Sequence, residues 1–174
     1  MLTLVILLIL SWSFYIGYRR GIVLQGFYTG IAALAFYIAS HSFSSLSSQL
    51  TLWVPYASPT QESSVAFFQT VALFDLNQVY YSGVAFLVIY TFMYVCGRFL
   101  GIFLHLTPIS HLENRSLSLV SGVLSVFVTM LSLSIVFAIL ATIPLTSLQQ
   151  YLANSSMARF LINSLASVFT GSWQ

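Results

Sequence analysis

Long apolar stretches separated by shorter polar segments form the dominant pattern of this sequence. Four stretches carry almost no charge and cover residues 2–18, 22–43, 81–104 and 117–143. A helix needs roughly 17–25 mainly apolar residues to cross the hydrocarbon core of a bilayer. The pattern therefore predicts an all-α membrane protein with four transmembrane helices, arranged as two hairpins.

Arginines mark one side of the membrane. Arg19 and Arg20, followed by Gly21, lie between the first two stretches, and Arg98 and Arg115 flank the turn between the last two. Charge is costly at the bilayer centre, and short loops rich in arginine stay on the cytoplasmic side. We therefore expect both turns inside and both termini outside.

Small residues recur at helical spacing, which allows neighbouring helix backbones to approach closely. The positions predicted to pack between helices are Gly26, Gly30, Gly97, Gly101, Gly122 and Ser125. A further stripe in the first stretch consists of Ser13, Gly17 and Gly21. We expect the first two helices to pack on each other as an antiparallel hairpin, with Ala35 facing lipid. A polar path along the fourth helix is the alternative to packing there.

Two segments outside the spans have structure of their own. Residues 44–80 form a predicted outer loop, in which Pro55 and Pro59 prevent a continuous helix and Glu62–Phe74 is a candidate short helix. Apolar residues at helical spacing predict an amphipathic tail helix within residues 146–169. Asn154 or Ser155 would be its N-cap. The tail should lie flat at the outer surface, lie on the helix bundle or dock on the outer loop.

The composition restricts the class of protein. Of 174 residues, 59% are hydrophobic and 5% charged, whereas a soluble domain is about one quarter charged. The chain is therefore an integral membrane protein of a single domain, residues 1–174, embedded in the lipid bilayer. Five arginines and a net charge of +2 are too sparse for a nucleic-acid-binding face. Cys96 has no partner cysteine and is read as a small buried hydrophobic residue.

Catalytic and metal-binding motifs are missing from the sequence. The three carboxylates, Glu62, Asp75 and Glu113, fall in predicted loops, and His105 and His111 lack the further ligands of a metal site. We therefore expect no enzyme activity, no metal and no cofactor. Arg98 lies within the third stretch, where it either extends to the lipid headgroups or lines a polar pathway.

Several features together resemble the colicin V production protein (CvpA) family of bacterial inner-membrane proteins. They are Arg20-Gly21 after a short first span, Asn114-Arg115 before a span with Gly122, and the segments at residues 50–56 and 156–159, which look like the Gram-positive branch. Two departures are Ser118, where members often have glycine, and a first span without the usual aspartate. The resemblance implies four transmembrane helices, a bacterial cytoplasmic membrane location and a part in bacteriocin production.

Two functions remain open at this point. The first is a structural or accessory membrane protein, linked by resemblance to toxin (colicin V) production and the cell envelope. The second is a small channel or transporter subunit, since each predicted hairpin has arginine at its turn. A second copy of the chain and other membrane proteins are both candidate partners.

Overall fold

Four long helices form the body of the protein. The computed structural model describes residues 1–56, 67, 76–105, 115–171 and 173. The long helices are α1 (Leu2–Arg20), α2 (Ile22–Leu50), α3 (Leu76–His105) and α4 (Arg115–Ala141). All four are long and apolar enough to cross a membrane, which confirms the predicted fold class.

A group of short helices follows the fourth span. These are α5 (Thr146–Ala153), α6 (Ser156–Phe160), a π-helical turn at Leu161–Ala166, and α7 (Ser167–Thr170). Pro144 lies between α4 and α5, since proline cannot continue a helix. The Gln149 Nε2 donates to the carbonyl oxygens of Ala141 and Ile143, each at 2.9 Å. This side chain therefore satisfies backbone groups that the end of α4 leaves free.

The helices extend further into the predicted outer loop than the sequence indicates. Helix α2 continues to Leu50, and α3 begins at Leu76. The serine-rich start of the loop is helical, and its hydroxyls bond back to carbonyls of the same helix, as Ser47 does to Ser44 at 3.0 Å. The proposed helix Glu62–Phe74 lies outside the described residues, apart from Phe67.

The packed helix pairs differ from the pairs expected from the sequence. Helix α1 packs along α4, and α2 packs along α3, while α1 and α2 make few contacts apart from their connection at Gly21. Gly21 has a φ of 82°, which glycine adopts without steric cost. The prediction that α1 and α2 pack on each other is wrong, because the small face of α1 matches hydroxyl-bearing positions of α4.

Arginine positions and the tail define the two ends of the bundle. The arginine end is where α1 and α3 finish and α2 and α4 begin, and it holds Arg19, Arg20, Arg98 and Arg115. The tail end carries the short helices. There an aromatic cluster joins α2, α3 and the tail through Phe36, Phe86, Phe169 and Trp173.

The aromatic cluster buries residues from distant parts of the chain. Phe86 stacks on Phe169 at 5.8 Å between ring centroids, and Trp173 lies 5.6 Å from Phe86. Ala35 packs in the same cluster with 1% of its surface exposed. The expectation that Ala35 faces lipid is therefore wrong, because the aromatic tail covers this face of α2.

A second cluster fixes the tail on α1 and α4. It includes Ile6 and Leu10 of α1, Phe137 of α4, and Leu161 of the π-helical turn. The Ser134 hydroxyl donates to the Leu161 carbonyl at 2.9 Å, and the Ser155 side chain caps α6 by accepting from the Ala158 N–H. Docking of the tail is confirmed: within the described residues the tail packs on α1 and α4, in a cluster that also includes Phe67 of the predicted outer loop.

Candidate functional site

Small and hydroxyl-bearing residues bring α1 against α4. The Ser13 hydroxyl lies 3.0 Å from the Ser125 Oγ and 2.6 Å from the Thr129 Oγ1. One turn along, the Ser121 hydroxyl donates to the Gly17 carbonyl at 2.5 Å and to the Gly21 carbonyl at 2.9 Å. Bonds of this kind hold helices together where backbones lie close. The predicted stripe on α1 is thus buried against the predicted stripe on α4.

Two glycines of α3 make room for side chains of α2. A Cβ atom at Gly101 would lie 2.5 Å from Cε1 of Tyr28, and a Cβ atom at Gly97 would overlap Ile31. Both predicted glycines therefore lie at a helix contact. Their absence of side chains lets the Tyr28 ring rest close to the end of α3.

The Tyr28 ring receives a guanidinium from each of two helices. The Cζ atoms of Arg20 and Arg98 lie 5.1 and 5.0 Å from its ring centroid. A guanidinium over an aromatic face gains roughly 0.5–2 kcal/mol, with the larger value in desolvated places. Arg98 also approaches the Tyr94 hydroxyl at 3.5 Å. These contacts hold two positive charges near each other between α1, α2 and α3.

A cleft opens between the four helices beside these arginines. Its volume is about 240 Å³, and its polar lining comes from Arg20, Arg98, Gln25, Tyr94, Ser13 and Thr129. Gln25 is only 2% exposed, and its Oε1 has no hydrogen-bond partner. A buried amide oxygen without a partner costs about 1–3 kcal/mol. Among the described residues Gln25, which lines the cleft, therefore has an oxygen that still needs a hydrogen-bond donor.

An apolar groove adjoins this cleft. The groove has a volume of about 210 Å³ and is lined mainly by Ala32, Ala33, Phe36, Phe127 and Leu131. Val128 lines both the groove and the cleft. On α2 the groove begins at Thr29, one helical turn beyond Gln25. The two spaces are therefore neighbours, one polar and cationic, the other apolar.

The groups of the cleft suit binding of an anion. Guanidinium groups donate in a planar fork that matches carboxylate and phosphate oxygens. No aspartate or glutamate occurs within the described ranges, because Glu62, Asp75 and Glu113 all fall outside them. Across those ranges, no cluster of three histidine, cysteine or acidic residues could hold a metal. The described groups of the cleft are therefore suited to binding a negatively charged group.

The structure distributes the remaining predicted residues over several places. Gly122 is buried where a Cβ atom would lie 2.7 Å from the Phe14 ring, and Arg19 and Arg115 are exposed at the arginine end. Asn114 lies outside the described residues. Arg98 lines the cleft, so its contacts support the polar alternative over extension to the headgroups.

The packing predicted at Gly26 and Gly30 is wrong. Both residues are exposed, and a Cβ atom at either would meet no atom within 4 Å. The buried face of α2 passes instead through Leu24, Tyr28 and Ala32. Of these, Tyr28 packs against Gly101 of α3, and Ala32 lines a groove shared with α4.

Gln25 and Tyr28 were not singled out from the sequence. Gln25 is the one amide side chain in the second apolar stretch, residues 22–43. This was the only feature of the sequence that could have indicated a role for Gln25, because an amide buried in a membrane span needs a hydrogen-bond partner. Nothing in the spacing of Tyr28 pointed to two arginines from other helices.

Comparison with known proteins gives one family. The family model described as colicin V production protein matches residues 2–166. An uncharacterised transmembrane protein of Bacillus subtilis (strain 168), YshB, is 28% identical over 167 residues, covering 94% of this chain and 90% of the relative. No solved structure matches.

Proposed function

Since the chain belongs to the colicin V production protein family, we propose that it is a non-enzymatic accessory protein of the bacterial cytoplasmic membrane. In this proposal it binds an anionic group at the arginine end of its bundle. This binding supports toxin production, the process for which the family is named, and maintenance of the cell envelope.

The observation that carries the proposal is the cationic cleft. Arg20 and Arg98 converge on Tyr28, and the buried Gln25 presents an unpartnered amide oxygen beside them. These groups bind and orient negative charge. The positive-inside rule assigns the arginine end to the cytoplasmic side, which puts the cleft within reach of anionic groups at the inner surface.

A complementation experiment tests this function. Cells that lack the gene would receive the wild-type chain, the double variant Arg20→Gln/Arg98→Gln, or Arg19→Gln. We expect the double variant to restore neither bacteriocin secretion nor survival in detergent, at equal protein level in the membrane. Arg19→Gln removes one positive charge from an exposed position next to Arg20 in the sequence and should restore both. Full rescue by the double variant would refute the proposal.

A small channel or transporter subunit is the second candidate. The hydroxyls of Ser13, Ser125 and Thr129 form a continuous polar contact between α1 and α4, next to the cleft. Chloride flux into liposomes that contain only this protein is the measurement. Flux that disappears in Arg98→Gln but persists in Arg19→Gln would favour the channel over the accessory protein.

A further inference from the structure

We propose that the cleft and the groove form one site for an amphiphile with a phosphate monoester headgroup, the headgroup in the cleft and the acyl chain in the groove. This inference rests on the proposed function and specifies its ligand. No comparison with known proteins assigns such a site.

The continuity of the two spaces supports a single amphiphilic ligand. Val128 of α4 lines both of them, and Gln25 and Thr29 of α2 are one turn apart on the path between them. From the arginine end, the lining therefore changes from guanidinium and amide groups to alanine and phenylalanine side chains. A lipid of the adjacent leaflet has the same order of polarity, from headgroup to chain.

The polar groups of the cleft select phosphate over carboxylate. Two guanidiniums supply forked N–H donors for at least two anionic oxygens. The Gln25 Oε1 needs a donor as well, and a carboxylate has none to give. A phosphate monoester, whose second pKa is near 6, offers both acceptor oxygens and, in its monoanionic form, a P–OH donor. The phosphate of a phosphodiester meets the arginines but has no P–OH to donate, and a phosphatidylmethanol headgroup offers the glutamine no other donor.

The apolar groove determines whether the ligand carries a chain. Ala33 is an exposed groove residue, so a larger side chain there fills the groove without entering a helix contact. Free phosphate would use the cleft alone and would not respond to such a change. The two sources of phosphate are thus separable by one substitution.

The test measures binding to the full-length protein purified in a neutral detergent. The probes are dioleoyl phosphatidic acid, dioleoyl phosphatidylmethanol and inorganic phosphate. Each is added at increasing concentration, and the Kd is obtained from the rise in melting temperature. We expect phosphatidic acid to bind most tightly. Arg20→Gln and Arg98→Gln should each raise its Kd at least about tenfold, as loss of a charge-assisted bond predicts. Arg19→Gln should leave the Kd within about twofold.

Two further variants keep the outcomes distinct. Ala33→Trp should raise the Kd for phosphatidic acid about tenfold and leave that for inorganic phosphate unchanged. Arg98→Lys keeps the positive charge but loses the two parallel N–H donors of the guanidinium, so it should bind phosphatidic acid with intermediate affinity. It replaces Arg98→Gln in the test if that variant fails to fold.

Different failures have different meanings. Equal binding of phosphatidic acid and inorganic phosphate, with no effect of Ala33→Trp, would overturn the amphiphile and leave anion binding intact. Equal binding of phosphatidylmethanol would overturn the choice of a monoester. Binding of every probe that is indifferent to Arg20 and Arg98 would overturn both this inference and the proposed function.

Discussion

The glycines of this chain divide into two kinds at the scale of the single residue. A Cβ atom at Gly17 would collide with Ser125 and lie 2.8 Å from the Ser121 carbonyl oxygen, whereas one at Gly30 would meet nothing. The sequence spacing of small residues is alike in both cases. Only the neighbouring helix distinguishes a contact glycine from an exposed one.

Alanine substitutions measure this difference. Gly17→Ala should destabilise the protein by roughly 1–3 kcal/mol, because the backbone of α4 must shift to admit the methyl group. Gly30→Ala should leave stability equal or slightly higher, since alanine favours the helix. Thermal unfolding in detergent is the measurement, and equal melting temperatures for the two variants would refute the contact described for Gly17.

Gln25 provides a second prediction at this scale. Replacement by methionine, Gln25→Met, removes a buried amide oxygen without a hydrogen-bond partner. The unliganded protein should therefore become more stable, by about 1–3 kcal/mol. Binding of phosphatidic acid should weaken at the same time. A melting temperature that falls without ligand would show that the amide already has a partner in the free protein.

At the scale of the element, the four spans could be predicted and their partners could not. Apolar length suffices to identify a transmembrane helix, which is why the predicted bounds lie close to α1 and α4. Partner choice depends on matching faces, such as Ser13 with Ser125, which are 112 residues apart. Arg20 and Arg98 made part of the cleft predictable from the sequence. That both guanidiniums contact Tyr28 depends on the pairing of α2 with α3, which the sequence did not indicate.

The side of the tail that packs on the bundle could not be predicted from the sequence. The sequence pattern predicts one continuous helix, whereas a π-helical turn at Leu161–Ala166 interrupts it. A π-helical turn shifts the side chains that follow it around the helix axis. At the start of this turn Leu161 is 1% exposed, whereas its neighbour Phe160 is 47% exposed.

Substitution at these two neighbours tests the docked tail. Leu161→Asp places a charge in the cluster between α1, α4 and the tail, and should cost several kcal/mol or prevent folding. Phe160→Asp changes a half-exposed position and should lower the melting temperature far less. A greater loss for Phe160→Asp would contradict the docking shown here.

At the scale of the whole molecule, the arginine end predicts the topology, with that end in the cytoplasm and both termini outside. Arg159 is the one arginine of the sequence outside that end. Tags at residue 1 and residue 174 should both be accessible from outside intact spheroplasts. A cysteine introduced as Arg19→Cys, in a Cys96→Ser background, should react with an impermeant reagent only after the membrane is opened. Reaction in sealed cells would show that the arginine end faces the outside.

The pairing of α1 with α4 has a consequence for biogenesis. The chain is made at roughly 5–20 residues per second, so the 112 residues between Ser13 and Ser125 take about 6 to 22 s to synthesise. During that interval α1 lies in the bilayer with its hydroxyl and glycine face turned toward lipid. The polar face of the nascent first helix is thus accessible to insertion chaperones and membrane proteases until α4 has been synthesised and packs on it.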